Sequence, residues 1–166
     1  SVLMFDEVKN DDVQEYFYPE KEVKHLINCL SIGMKEGVND AVKKLMESVR
    51  SNVGRNYDNV MQIFYQVAGE IIKHVMDSKV SLNKVFGRRY NIYGGLAANK
   101  TLDEIEVWLY GTCERIIDCF ADMEMFNKKY LSKIIEYIHI NYHNDIDINT
   151  LAEYANISYT HIRRIF

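Results

Sequence analysis

Apolar residues recur along most of this chain at steps of three and four, and little interrupts them: the 166 residues include one proline, Pro19, and eight glycines. That period lays a single apolar stripe along a helix, whereas a strand would need alternation at every second residue. From Tyr57 to Asp77 the positions Val60, Phe64, Val67, Ile71 and Val75 follow at steps of 4, 3, 4 and 4, which predicts one long helix. With so few breakers, and with 48% apolar residues to fill a core, the expected fold class is all-α.

Neighbouring stretches repeat the pattern. Pro19 followed by Glu20 and Glu22 reads as a helix start, because proline at the first position loses no needed N–H and acids favour the positive end of the helix dipole. Val23, Leu26, Ile27 and Leu30 then form one face, ending near Gly33. A second helix is expected from about Gly37 to Ser51, with Val38, Ala41, Val42, Leu45, Met46 and Val49 inward, and the short connection predicts a helical hairpin. Residues 78–100 break the pattern at Gly87, Gly94 and Gly95. Phe86, Tyr90 and Tyr93 suggest a short helix inside a packed loop there, with Gly94-Gly95 as a turn.

Thr101 with Glu104 three residues on is a capping-box pairing, and Leu102, Ile105, Leu109, Cys113, Ile116, Phe120 and Met123 follow as one stripe. A separate helix is expected to begin near Asn127, with Leu131, Ile134, Ile135, Ile138 and Tyr142 on one side. The opening residues, 1–18, read as a linker or the last strand of something upstream.

Composition excludes several classes. No run reaches the roughly 18–20 apolar residues of a membrane span, and no secretory signal opens the chain, so a cytoplasmic location without membrane contact is expected. Cys29, Cys113 and Cys119 are odd in number and fit neither a disulfide framework nor a metal pair; they read as reduced core thiols. The net charge of −4 argues against a chain that binds nucleic acid over its whole surface. Residues 127–166 nevertheless hold 5 Lys/Arg against 4 Asp/Glu, so any DNA-binding face should be small and lie near the carboxyl end.

That end carries the most specific pattern. Asp147 can cap a helix over 148–155 whose inner face is Ile148, Leu151, Ala152 and Ala155. Asn156 stands where a tight turn needs a left-handed residue, and Ser158 can cap a following helix from Tyr159. Ile157, Ile162, Ile165 and Phe166 would close the core, leaving Tyr159, Thr160, His161, Arg163 and Arg164 outward. Two helices braced in this way can present the second to the DNA major groove, where arginine suits guanine edges or phosphates.

Residues 131–166 resemble the first helix-turn-helix of the AraC/XylS transcription regulators, with Leu151-Ala152-Glu153, the turn and Arg164-Ile165-Phe166 in register. More loosely, Tyr16-Phe17-Tyr18-Pro19-Glu20-Lys21-Glu22 followed by Leu26-Ile27-Asn28 resembles the helical segment preceding that domain in regulators fused to sensor or receiver domains. The resemblance implies a bacterial regulator with a helical regulatory or dimerisation segment over 19–126 and a partial helix-turn-helix domain over 127–166. Its implied partners are operator DNA, a second copy of the chain, and an upstream sensor or receiver domain. Family members carry a second helix-turn-helix, so weak operator binding by this stretch alone is expected. By the same resemblance the base-reading positions fall on Thr160, Arg163 and Arg164, flanked by Tyr159 and His161. Arg163 on a base edge with Arg164 on a phosphate is one assignment; the reverse is the other.

The rival reading is a ligand-sensing or protein-interaction module, with tyrosines lining a pocket between helices. His139 and His143, spaced i, i+4 with Asp145 near, could share a metal but read more simply as a solvated face. Gly94-Gly95 lacks the phosphate-loop pattern, no paired motif links Ser, His and Asp for catalysis, and no cofactor is implied.

Overall fold

The computed structural model describes residues 16–53 and 56–165. The strand or linker expected over 1–18 lies largely outside them, with only Tyr16 to Tyr18 seen as irregular chain, and Phe166 is outside as well. Among the described residues every regular element is an α-helix: α1 (Glu20–Ile32), α2 (Lys35–Val53), α3 (Tyr57–Asp77), α4 (Leu82–Phe86), α5 (Ile92–Ala97), α6 (Leu102–Asn141), α7 (Ile148–Ala155) and α8 (Tyr159–Ile165). The fold is all-α. Two compact units divide the chain, residues 1–117 and 118–166, and α6 has residues in both.

In the first unit α1 packs on α2, and both meet α3, which also holds α4 and α5. Gly33 ends α1 in the left-handed region at φ 79°, returning its N–H to the Cys29 carbonyl, so two residues suffice to turn the chain into α2. All six inward positions read from the α2 sequence are buried, as are the five of α3. Asn56 caps α3 by accepting from the Asp58 and Asn59 amides at 3.1 and 3.3 Å.

The stretch 78–100 forms two short helices, and Gly94-Gly95 lies inside α5 instead of making a turn. Asn91 supplies the cap that glycine-based reading overlooked, accepting from Tyr93 and Gly94. Gly95 is there for closeness: a Cβ on it would stand 2.6 Å from the Tyr90 hydroxyl and 3.1 Å from Trp108 Nε1. Those two groups hydrogen-bond each other at 3.1 Å.

A single helix runs from Leu102 to Asn141 where two were expected. The step from Met123 to Asn127, Tyr130 and Ile134 keeps the helical phase, and no glycine or proline follows Gly111 within it. A lone asparagine costs an interior helix position only about 0.5 kcal/mol, too little to end a helix supported on both sides. At its start Thr101 accepts from the Glu104 amide at 3.1 Å, while the Glu104 carboxylate takes the Lys100 amide at 2.6 Å. Within the first unit Arg50 of α2 reaches Asp103 and Glu106 of α6 at 3.0 and 3.1 Å.

Candidate nucleic-acid interface

The second unit is built on very few side chains. Ile134 of α6 is fully buried against Leu151, Ala152 and Ala155 of α7 and Ile162 of α8, with Tyr130, Tyr137, Ile146, Ile157 and Ile165 around them. The buried face of α6 is therefore centred on Ile134 with Tyr130 and Tyr137 to either side. Ile135, Ile138 and Tyr142, expected on the core side, are exposed by 56%, 38% and 66%. The difference arises because two tyrosines fill places that the sequence reading gave to isoleucines. Ile148 is exposed as well; it lies on the inner face of α7 but one turn before Leu151, beyond what so small a core reaches.

The turn forms as its residues dictate. Asp147 sits in extended backbone and accepts from the Thr150 amide at 2.7 Å and the Thr150 hydroxyl at 3.0 Å, which fixes the start of α7. Those bonds to the charged form, led by the Thr150 amide, hold the Asp147 carboxyl below its usual range. Asn156 ends α7 at φ 55°, ψ 46°, donating its N–H to the Ala152 and Glu153 carbonyls, and Ile157 returns its own N–H to Ala152 at 3.0 Å. Ser158 then accepts from the His161 amide at 3.1 Å and opens α8. Ala152, with no side chain beyond Cβ, lies buried where α7 packs on α8.

Of the five residues expected to face outward, Tyr159, Thr160, Arg163 and Arg164 are exposed and His161 is not. The His161 ring is half-buried, edge-on to Phe126 at 4.7 Å and to Tyr130 at 5.9 Å, and these two rings meet each other at 4.2 Å. It serves to dock α8 onto α6 and does not present an edge to a ligand. The signal was available in the sequence, since Phe126 and Tyr130 stand four apart on one helical face and invite a third aromatic partner. Arg163 and Tyr159 share the opposite situation: both are exposed, and the guanidinium carbon lies 5.8 Å from the centre of the Tyr159 ring.

The remaining candidates resolve into packing or open surface. Among the described residues no three His, Cys, Asp or Glu side chains gather closely enough to hold a metal, and His139, His143 and Asp145 are exposed. An open groove of about 620 Å³ between α1 and α2 is lined by Lys21, Glu22, His25, Lys44 and Glu47 among others, with mixed charge and no tyrosine. Tyr65 leans on Tyr93, and Tyr90 lies between Phe86 and Arg115, so these rings serve the first unit's own packing. Cys113 is fully buried, which pushes its thiol up to about 12 and keeps it unreactive. Among the described residues no helix is long and apolar enough to cross a membrane.

Comparison of the chain with protein-family models, with curated proteins and with solved structures gave no match.

Proposed function

We propose that the chain belongs to a DNA-binding transcription regulator of the AraC type, with α8 as its recognition helix and Thr160, Arg163 and Arg164 as its contact residues. The observation that carries this reading is the α7–turn–α8 unit. Two short helices are locked by the Asp147 cap, the left-handed Asn156 and the Ser158 cap, share one core with Ile134, and leave two adjacent arginines in solvent. A rigid pair of this kind fixes its second helix well enough for side chains to meet base edges in the major groove. The helical segment 19–126 is proposed to dimerise or to pass a signal from an upstream sensor or receiver domain, from within the cytoplasm.

The test is repeated selection from a random double-stranded DNA pool by the 166-residue chain at low salt and at concentrations above roughly micromolar, where the weak binding expected of this stretch alone still enriches a motif, followed by titration of the enriched duplex and a scrambled one. Enrichment of a motif that disappears with the double substitution Arg163→Ala, Arg164→Ala supports the reading. A pool that stays random, or a motif indifferent to both arginines, overturns it.

A further inference from the structure

Arginines 163 and 164 are neighbours on one helix, yet their surroundings differ. Arg163 stands one helical turn after Tyr159, and its guanidinium lies over that ring at 5.8 Å, within the reach of a cation–π contact. The backbone that carries Tyr159 is fixed at the start of α8 by Ser158, which accepts from the His161 amide through its hydroxyl and from the Ile162 amide through its carbonyl. Among the described residues no ring and no carboxylate is seen at Arg164, which points about 100° further round the helix. One arginine thus has an aromatic face against it before any partner arrives, and the other is simply exposed.

Building on the DNA-binding reading above, we infer that Tyr159 is a positioning residue that presents Arg163 to a base edge, leaving Arg164 to a backbone phosphate. The chemistry of the two contacts matches the two states. A guanidinium reads guanine through two parallel N–H bonds to O6 and N7, which requires its plane and its direction to be set together. A phosphate accepts a positive charge from many directions, so a free side chain serves it well. Stacking on Tyr159 narrows the rotamers of Arg163 in the free protein, so less freedom is lost when the paired bonds form. The tyrosine hydroxyl has no part in this; the face of the ring does the holding.

The test has one arm without DNA and one with it, using the 166-residue chain. In the free protein the Arg163 side-chain protons should be shifted upfield in the NMR spectrum by the Tyr159 ring. Tyr159→Phe should keep that shift and Tyr159→Leu should remove it. In selection from a random duplex pool, Tyr159→Leu should weaken the preference at one base position by about two- to fivefold, the equivalent of one exposed cation–π contact. Binding to the unselected pool should be unchanged, and Tyr159→Phe should behave as the parent. An absent ring shift overturns the stacking. Loss of preference in the Phe variant overturns it too, since that result assigns the effect to the hydroxyl. Full preference retained by the Leu variant overturns the positioning role. If the parent chain itself enriches no motif, the DNA-binding reading has failed, and the ring shift still reports on the stacking separately.

Discussion

Asn156 shows how one backbone angle sets the site. Its φ of 55° places it in the left-handed region, where asparagine is tolerated and alanine costs roughly 1–2 kcal/mol. Asn156→Ala should therefore destabilise the second unit by about that amount, while Asn156→Gly should leave it nearly as stable or better. Hydrogen exchange at the Leu151 and Ile162 amides reads the difference directly, and equal protection in the two variants would mean that the turn does not depend on this angle. Ile134 carries a larger share, since among the described residues it is the α6 side chain fully buried in that core; Ile134→Ala should cost about 2–5 kcal/mol by the same measurement. His161 was read from the sequence as an outward contact because the turn before it fixes only where α8 begins. Which side of a short helix is covered depends on rings from a distant part of the chain, and the pair Phe126 and Tyr130 is a signal only once both are placed on one continuous helix.

Most capped helix boundaries were legible, those at Ser81 and Asn91 excepted because glycines there read as breakers, and the boundary was obscure where a helix merely continues. Asp147, Ser158, Thr101 and Gly33 all mark ends that the structure keeps, and α3 runs between the two residues that the periodicity picks out. The junction near Asn127 was misread because a polar residue looks like a stop when the stripe on its far side is assigned a new phase. Two predictions belong here. The Asp147 carboxyl is held low in the folded chain by the bonds that cap α7, so its contribution is present above the unfolded carboxyl's ordinary range and is lost as pH falls through the depressed folded value. Protection factors of the α7 amides, taken relative to intrinsic exchange at each pH, should fall on acidification into that range, and Asp147→Asn, which keeps an oxygen acceptor but cannot titrate, should remove this component. An identical acid response in both proteins would exclude Asp147 as its source. In α5, Gly95→Ala would ordinarily gain up to about 1 kcal/mol of helix stability, but the new Cβ meets the Tyr90 hydroxyl at 2.6 Å and the ring carbon behind it at 3.1 Å. Overpacking should win and cost about 1–3 kcal/mol in urea unfolding. Tyr90→Phe in the same chain should restore part of that loss, and no restoration would place the clash elsewhere.

For the molecule as a whole, charge decides how DNA could be engaged. A net charge of −4 gives the chain no general attraction for a duplex, so on the proposed reading the attraction comes from a few cations close to the phosphates, Arg163 and Arg164 among them. Each phosphate neutralised releases counterions, and the logarithm of affinity then falls against the logarithm of salt with a slope of about −0.9 per contact. If both arginines contact the duplex when it is bound, Arg164→Ala should flatten that slope by roughly one contact on selected and scrambled DNA alike. Arg163→Ala should instead cost about 1–3 kcal/mol on the selected sequence and relax preference at one position, with a smaller change on scrambled DNA. Lys44→Ala removes a positive charge from the groove between α1 and α2 and should alter neither slope nor preference. Fluorescence anisotropy at several salt concentrations measures all three variants with the same labelled duplexes. A Lys44 variant that loses as much affinity as the Arg164 variant would show that binding is spread over the first unit, and would remove α8 from its proposed place as the recognition helix.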